Sequence, residues 1–240
     1  MFTSYSRVEK YRQCPRRYWL AYVEKIREPD SGKADAAGYN ALAMGGAVHL
    51  GVETHDLEAA VRSYEESAGT HDIKAAIQIR HAVRAVLDLP IFDGTHSLEF
   101  EREIKTDTFI GYADIIADGR HVYDMKVTAQ KNFPRYAGSP QLMLYAAELE
   151  KQGYEIDYMS WILVPKLIPR RKETPDEYEA RFEEFYYASV MPAPRDYKLV
   201  ADFWADAYRA ATAEEFPAAP GPLCPWCGYR EEYCLREEAR

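Results

Sequence analysis

The sequence predicts an α/β protein in which helices flank a central mixed β-sheet. Three observations carry this. Helical patterning runs through most of residues 5–89, three strand-like segments follow one another between residues 98 and 127, and a helix then precedes a further strand at 158–165. At 240 residues the chain can bury a substantial core, and a single domain, 1–240, is expected. Apolar residues at 47% and charged residues at 29% are ordinary globular values, which excludes extensive disorder.

Each element has its own signal. Ser6-Arg7-Val8-Glu9 has the form of a capping box, with Ser6 as N-cap of a first helix. Pro15 ends or kinks that helix and leaves Cys14 at a bend. Residues 28–40 are polar and contain Gly and Pro, so they read as a loop. A helix opens at Gly45-Gly46 and puts His49 and Glu53, four apart, on one face. Two more helical stretches follow, one marked by Leu57, Val61 and Tyr64, the other by Ile73, Ile77, Val83 and Val86. Pro90 and Asp93-Gly94 break the chain before the alternating strand that begins at Leu98. Residues 127–139 look irregular, and Pro140 suits the first turn of a helix carrying Gln141, Leu144, Tyr145 and Leu149. Thr174-Pro175-Asp176-Glu177 is a capping box that opens a helix through Tyr187, and a last helix covers Asp196 to Ala211. The aromatic residues of these two helices, Tyr178, Phe182, Phe185, Phe203, Trp204 and Tyr208, are assigned to the core.

The chemistry concentrates in residues 109–127. Phe109 to Ala117 and His121 to Val127 have strand composition, and Asp118-Gly119 supplies a turn between them. A three-residue loop, Asp118 to Arg120, sets Asp114 opposite Asp124 and puts Lys126 on the same face; a two-residue loop breaks that alignment. Facing carboxylates repel unless a cation lies between them or one stays protonated. Oxygen ligands favour a hard ion such as Mg²⁺ or Mn²⁺. A lysine two residues beyond Asp124 would then hold a water or offset charge growing on a phosphate.

The order Gly111-x-x-Asp114, Asp124-x-Lys126, Gln141-x-x-x-Tyr145 resembles the PD-(D/E)XK nuclease superfamily, and within it the RecB-type nucleases. Upstream His49 and the cysteines near both ends narrow the resemblance to the iron–sulfur members, such as the CRISPR-associated and AddB-type nucleases. The resemblance runs from Tyr5 to Cys234. It implies a restriction-endonuclease-like fold, with His49, Asp114, Asp124 and the Met125 carbonyl holding Mg²⁺ or Mn²⁺. It also implies a catalytic role for Lys126 beside the two aspartates, and places Glu53, Gln141 and Tyr145 in the active site.

Three cysteines, Cys224, Cys227 and Cys234, fall within eleven residues, and Cys14 is the fourth cysteine of the chain. Four thiolates suit zinc or an iron–sulfur cluster. Zinc sites usually pair two Cys-x-x-Cys units, whereas one remote cysteine with a carboxy-terminal triple is what the resemblance associates with [4Fe-4S]. The expectation is a cluster region built from residues 1–27 and 217–240 that joins the two ends of the chain.

The net charge of −9 speaks against a broadly basic nucleic-acid coat, but Lys166, Arg170, Arg171 and Lys172 form a dense basic patch suited to a phosphate backbone. There is no apolar run of membrane-spanning length and no leader-like start, so a cytoplasmic protein is expected. The functional expectation is a metal-dependent deoxyribonuclease, an exonuclease acting on single-stranded DNA or free ends, alone or with a recombination or CRISPR adaptation partner. The competing expectation is a catalytically silent DNA-binding or scaffold subunit.

Overall fold

The computed structural model describes residues 2–29 and 38–234, without the side chains of residues 184 and 185. Eight α-helices are described: α1 (Tyr5–Gln13), α2 (Pro15–Tyr18), α3 (Ala41–Thr54), α4 (Leu57–Ala68), α5 (Ile73–Leu87), α6 (Gln141–Glu150), α7 (Pro175–Phe185) and α8 (Tyr197–Thr212). Five strands, β1 (Leu98–Lys105), β2 (Ile110–Ala117), β3 (His121–Thr128), β4 (Tyr158–Pro165) and β5 (Ser189–Pro192), form one sheet in chain order. The pairs β2–β3 and β4–β5 are antiparallel, and β3–β4 is parallel. This is the mixed sheet with flanking helices that the sequence predicts. Two compact units are distinguished: Met1–Lys33, Ile104–Gly111 and Asp196–Arg240 form one, Ala34–Glu103 and Tyr112–Arg195 the other.

The second unit is built around the sheet. Asp118 and Gly119 both adopt positive φ, 54° and 66°, and Ile115 pairs with Tyr123 across the hairpin. The loop is therefore the three-residue one, and continuing the register brings Asp114 opposite Asp124. Alternation then sorts the side chains. Ile115, Met125, Ile162 and Val164 join the apolar cluster that α3, α4 and α5 complete, whereas Asp124 turns to the face where α6 packs on β3 and β4. Gly51 is needed where α3 meets its neighbours, because a Cβ there would stand 2.6 Å from Val83 and 2.8 Å from Ala60.

The first unit holds α1, α2, a π-helical turn over Trp19–Val23, and α8. Phe109 and Phe203 are buried here, with Trp204 packed edge-on to both. The predicted cluster region, 1–27 and 217–240, falls in this unit.

Several boundaries differ from expectation. Ser4, not Ser6, caps α1, its hydroxyl accepting the Arg7 N–H at 3.3 Å, and Glu9 pairs with Arg12 at 2.7 Å instead of closing a capping box. Helix α3 begins four residues before Gly45 because the Asn40 carboxamide caps it. Residues 130–138 form 3₁₀ turns, and α7 stops at Phe185 before the short strand β5. Tyr178, Phe182 and Phe203 lie in the core as assigned, but Tyr208 is on the surface because it faces outward on amphipathic α8. Much of the expected 28–40 loop, residues 30–37, lies outside the described residues.

Candidate metal centre and cysteine site

The second unit gathers most of the predicted site residues in one place. Asp114 accepts the Met125 N–H through Oδ2 at 2.6 Å, which locks the two strands together at the carboxylates. Asp124 is buried, one oxygen meeting the Lys126 ammonium and the other accepting from Gln141 Nε2 at 2.7 Å. The Gln141 amide also donates to Tyr145 Oη at 3.1 Å, so one turn of α6 supplies both groups behind Asp124. From α3, His49 brings Nε2 to 3.2 Å from the Met125 carbonyl and Nδ1 to 3.7 Å from Asp114. Glu53, on the same helical face, lies exposed on the wall of the same cleft, which has a volume of about 600 Å³.

One carboxylate was not among the predicted set. Glu101 of β1 comes within 3.5 Å of His49 Nδ1, and ligand atoms of His49, Glu101 and Asp114 all lie within 4.8 Å of one another. Glu101 also adopts a positive φ of 46° inside a strand, an uncommon conformation for a residue with a Cβ. In sequence it is one acidic residue among three alternating ones, so only the backbone kink distinguishes it.

The electrostatics fit a divalent cation. Burial, and then the neighbouring Asp124 charge, push Asp114 up to about 7. Burial works against a charged His49, but Glu101, Asp114 and Asp124 outweigh it and raise its pKa. Lys126 follows the same logic: desolvation opposes its charge, and the two aspartates overcome this and hold it as an ammonium well above the usual range. Tyr145 is raised by burial and by Asp124, so it stays a neutral phenol. The protein's own charges thus leave the carboxylates partly uncompensated, and the oxygen and imidazole donors suit a divalent metal ion.

In the first unit, Cys14, Cys224, Cys227 and Cys234 all line one cavity of about 420 Å³. Backbone N–H groups point at two of the sulfurs, from Ala219 to Cys14 Sγ at 3.4 Å and from Gly221 to Cys224 Sγ at 3.2 Å. Arg16 and Arg17 are in the cavity wall. No three cysteine sulfurs among the described residues converge within 4.8 Å. Four ligands on one zinc would stand about 3.8 Å apart, given a Zn–S bond near 2.3 Å.

The predicted basic patch follows β4. Arg170, Arg171 and Lys172 are exposed, and the Lys166 N–H donates to the Thr128 carbonyl at 2.8 Å, at the end of β3. No helix among the described residues is long and apolar enough to cross a membrane.

Comparison with known proteins bears on the fold and the family. A crystal structure of a candidate exonuclease from Eubacterium rectale superposes with a TM-score of 0.60 at 11% identity, covering 88% of this chain and 80% of that one. The protein SSO0001 gives a TM-score of 0.38 at 15% identity over 96% of this chain and 93% of its own. No curated protein matches the sequence. The model of the PD-(D/E)XK nuclease superfamily matches residues 3–234, which spans Cys14, His49, the paired aspartates, Lys126 and the carboxy-terminal cysteines. The chain belongs to the PD-(D/E)XK nuclease superfamily.

Proposed function

We propose that this nuclease is a RecB-like, divalent-metal-dependent deoxyribonuclease that works as an exonuclease. The observation that carries the reading is the convergence of His49, Glu101 and Asp114, whose ligand atoms lie within 4.8 Å of one another, with His49 beside the Met125 carbonyl and Lys126 paired to the neighbouring Asp124. His49, Asp114, Asp124 and the Met125 carbonyl would hold Mg²⁺ or Mn²⁺, and Glu101 adds a carboxylate to that set. The ion, when bound, supplies Lewis acidity toward the phosphate. Lys126 remains an ammonium, so it serves as donor and charge, orienting the attacking water and offsetting charge that develops on the phosphate oxygens. Gln141 and Tyr145 act one step back by fixing the Asp124 carboxylate. Glu53 lies exposed on the cleft wall, on the same helical face as His49.

The test is cleavage of end-labelled single- and double-stranded DNA in Mn²⁺, beside Asp124→Ala. Progressive shortening from one end by the wild type, absent in the variant, is the expected result. An intact substrate would move the assignment to the silent DNA-binding subunit, and internal cuts would remove the exonuclease part of it.

The cysteine cavity is read as a [4Fe-4S] site held by Cys14, Cys224, Cys227 and Cys234. N–H groups directed at the sulfurs favour thiolates, and four cysteines around one cavity supply the four ligands such a cluster takes. Cys227→Ala is expected to abolish visible iron–thiolate absorption and to lower folded yield, since the crosslink ties residue 14 to residues 224–234. A colourless wild-type protein purified anaerobically with stoichiometric zinc would refute the cluster.

A further inference from the structure

A second pocket, of about 240 Å³, opens in the sheet-containing unit and is lined in part by Gln130, Phe133, Leu167, Arg181, Tyr187 and Ser189. It lies where the parallel strands β3 and β4 end together, Thr128 pairing with Pro165, and Pro165 forms part of its wall. Lys126 is two residues back along β3, about 7 Å by strand rise.

Part of the wall is rigid. Tyr186 Oη donates to the Pro165 carbonyl at 2.7 Å, and the fully buried Gln78 bonds both that hydroxyl and the Leu167 N–H. Arg181 is held by both Glu173 oxygens at 3.0 and 3.1 Å, so its charge is already matched. The other part is open. Tyr187 is 62% exposed, and the segment Gln130–Gly138 that carries Phe133 contributes no buried residue. Close in sequence to the lining residues Gln130 and Leu167, Lys131, Arg170, Arg171 and Lys172 are exposed cations in a chain of net charge −9. Aromatic and aliphatic walls, a few polar groups and nearby cations suit a flat heteroaromatic ring carried on a polyanion.

Resting on the nuclease reading, we propose that this pocket receives one unstacked nucleobase of a single DNA strand whose scissile phosphate lies at Lys126. Phe133 and Tyr187 offer ring surface to the base, and Gln130 and Ser189 offer hydrogen bonds to its edge. A paired, stacked base cannot enter, so the pocket selects single strands and frayed ends.

The experiment measures binding of fluorescein-labelled oligonucleotides with phosphorothioate linkages, in Ca²⁺, so that cleavage does not intervene. The set comprises an intact single strand, strands with one abasic residue moved stepwise along the chain, and a duplex. One abasic position is expected to weaken wild-type binding about tenfold, the size of one lost base–aromatic stack. Tyr187→Ala and Phe133→Ala should each lower single-strand affinity by a similar factor, erase the dependence on that position and leave duplex affinity unchanged. Tyr187 is an exposed loop residue, so its variant should fold, and the abasic series needs no variant. DNA binding that is indifferent to every abasic position would overturn the pocket and leave the nuclease reading standing. Failure to bind any of these DNAs would overturn both.

Discussion

Replacing Lys126 with methionine is expected to reduce DNA cleavage by about 10²- to 10³-fold or more, the usual loss when one donor to transition-state charge is removed. The effect falls on turnover, since cations outside the catalytic cleft remain to hold the phosphate backbone. Methionine keeps the length of the stem and its packing near Trp161, whose ring lies 5.8 Å from the ammonium. What is lost is the charge facing Asp124, a carboxylate that is 1% exposed. Breaking a buried pair from one side costs about 3–5 kcal/mol, because the remaining charge stays buried. The variant should therefore unfold at lower temperature without divalent ions and recover part of the loss in Mn²⁺. Cleavage kinetics, fluorescence anisotropy and thermal unfolding with and without Mn²⁺ check the three parts. Wild-type turnover in the variant would remove Lys126 from the chemistry.

Asp114→Asn should show the opposite pairing, a dead enzyme that is more stable than its parent when metal-free. Burial and the Asp124 charge raise Asp114 from an ordinary 3.8 to about 7, so the folded chain binds its proton more tightly than the unfolded chain does. Stability from this group is complete below about pH 4 and is lost as pH rises through 7. At pH 8 the buried carboxylate costs on the order of a few kcal/mol, at about 1.4 kcal/mol per unit. Asparagine does not titrate and keeps an oxygen for the Met125 N–H. Denaturant unfolding between pH 5 and 8 should thus slope downward more steeply for the metal-free wild type than for the variant, in which His49, still held by Glu101 and Asp124, keeps part of the slope. Mn²⁺ should rescue the wild type most at high pH, where no proton competes for the carboxylate. Parallel pH profiles in the two proteins would show that Asp114 carries no such strain.

Much of this was legible in the sequence, and for local reasons. Tyr158–Pro165 was bounded correctly because an apolar run with turn signals at each end leaves little choice for a buried strand. Thr174 and Glu177 form the capping box their spacing announces. The hairpin allowed two loop lengths, and the positive φ of Asp118 and Gly119 selects the one that faces Asp114 to Asp124. What sequence could not supply was longer in range. Glu101 looks like the neighbouring Glu99 and Glu103, and only tertiary placement directs it at His49. Ser4 and Ser6 are equally good caps, and the difference lies in where α1 starts. Strand β5 is four residues long and gains its identity from pairing with β4.

The hairpin also bears on how the site comes into being. Asp114, Asp124 and Lys126 lie within thirteen consecutive residues closed by one tight turn, whereas β4 must travel more than thirty residues to pair with β3. Loop closure makes the first contact quick, hairpins forming in about 1–10 μs, and leaves the second to later folding. The two carboxylates therefore meet while water still screens them, with their own counter-charge already alongside on the same strand. His49 and Gln141 lie on helices outside the hairpin, so the expected order of closure pairs the two carboxylates before their dry surroundings are complete.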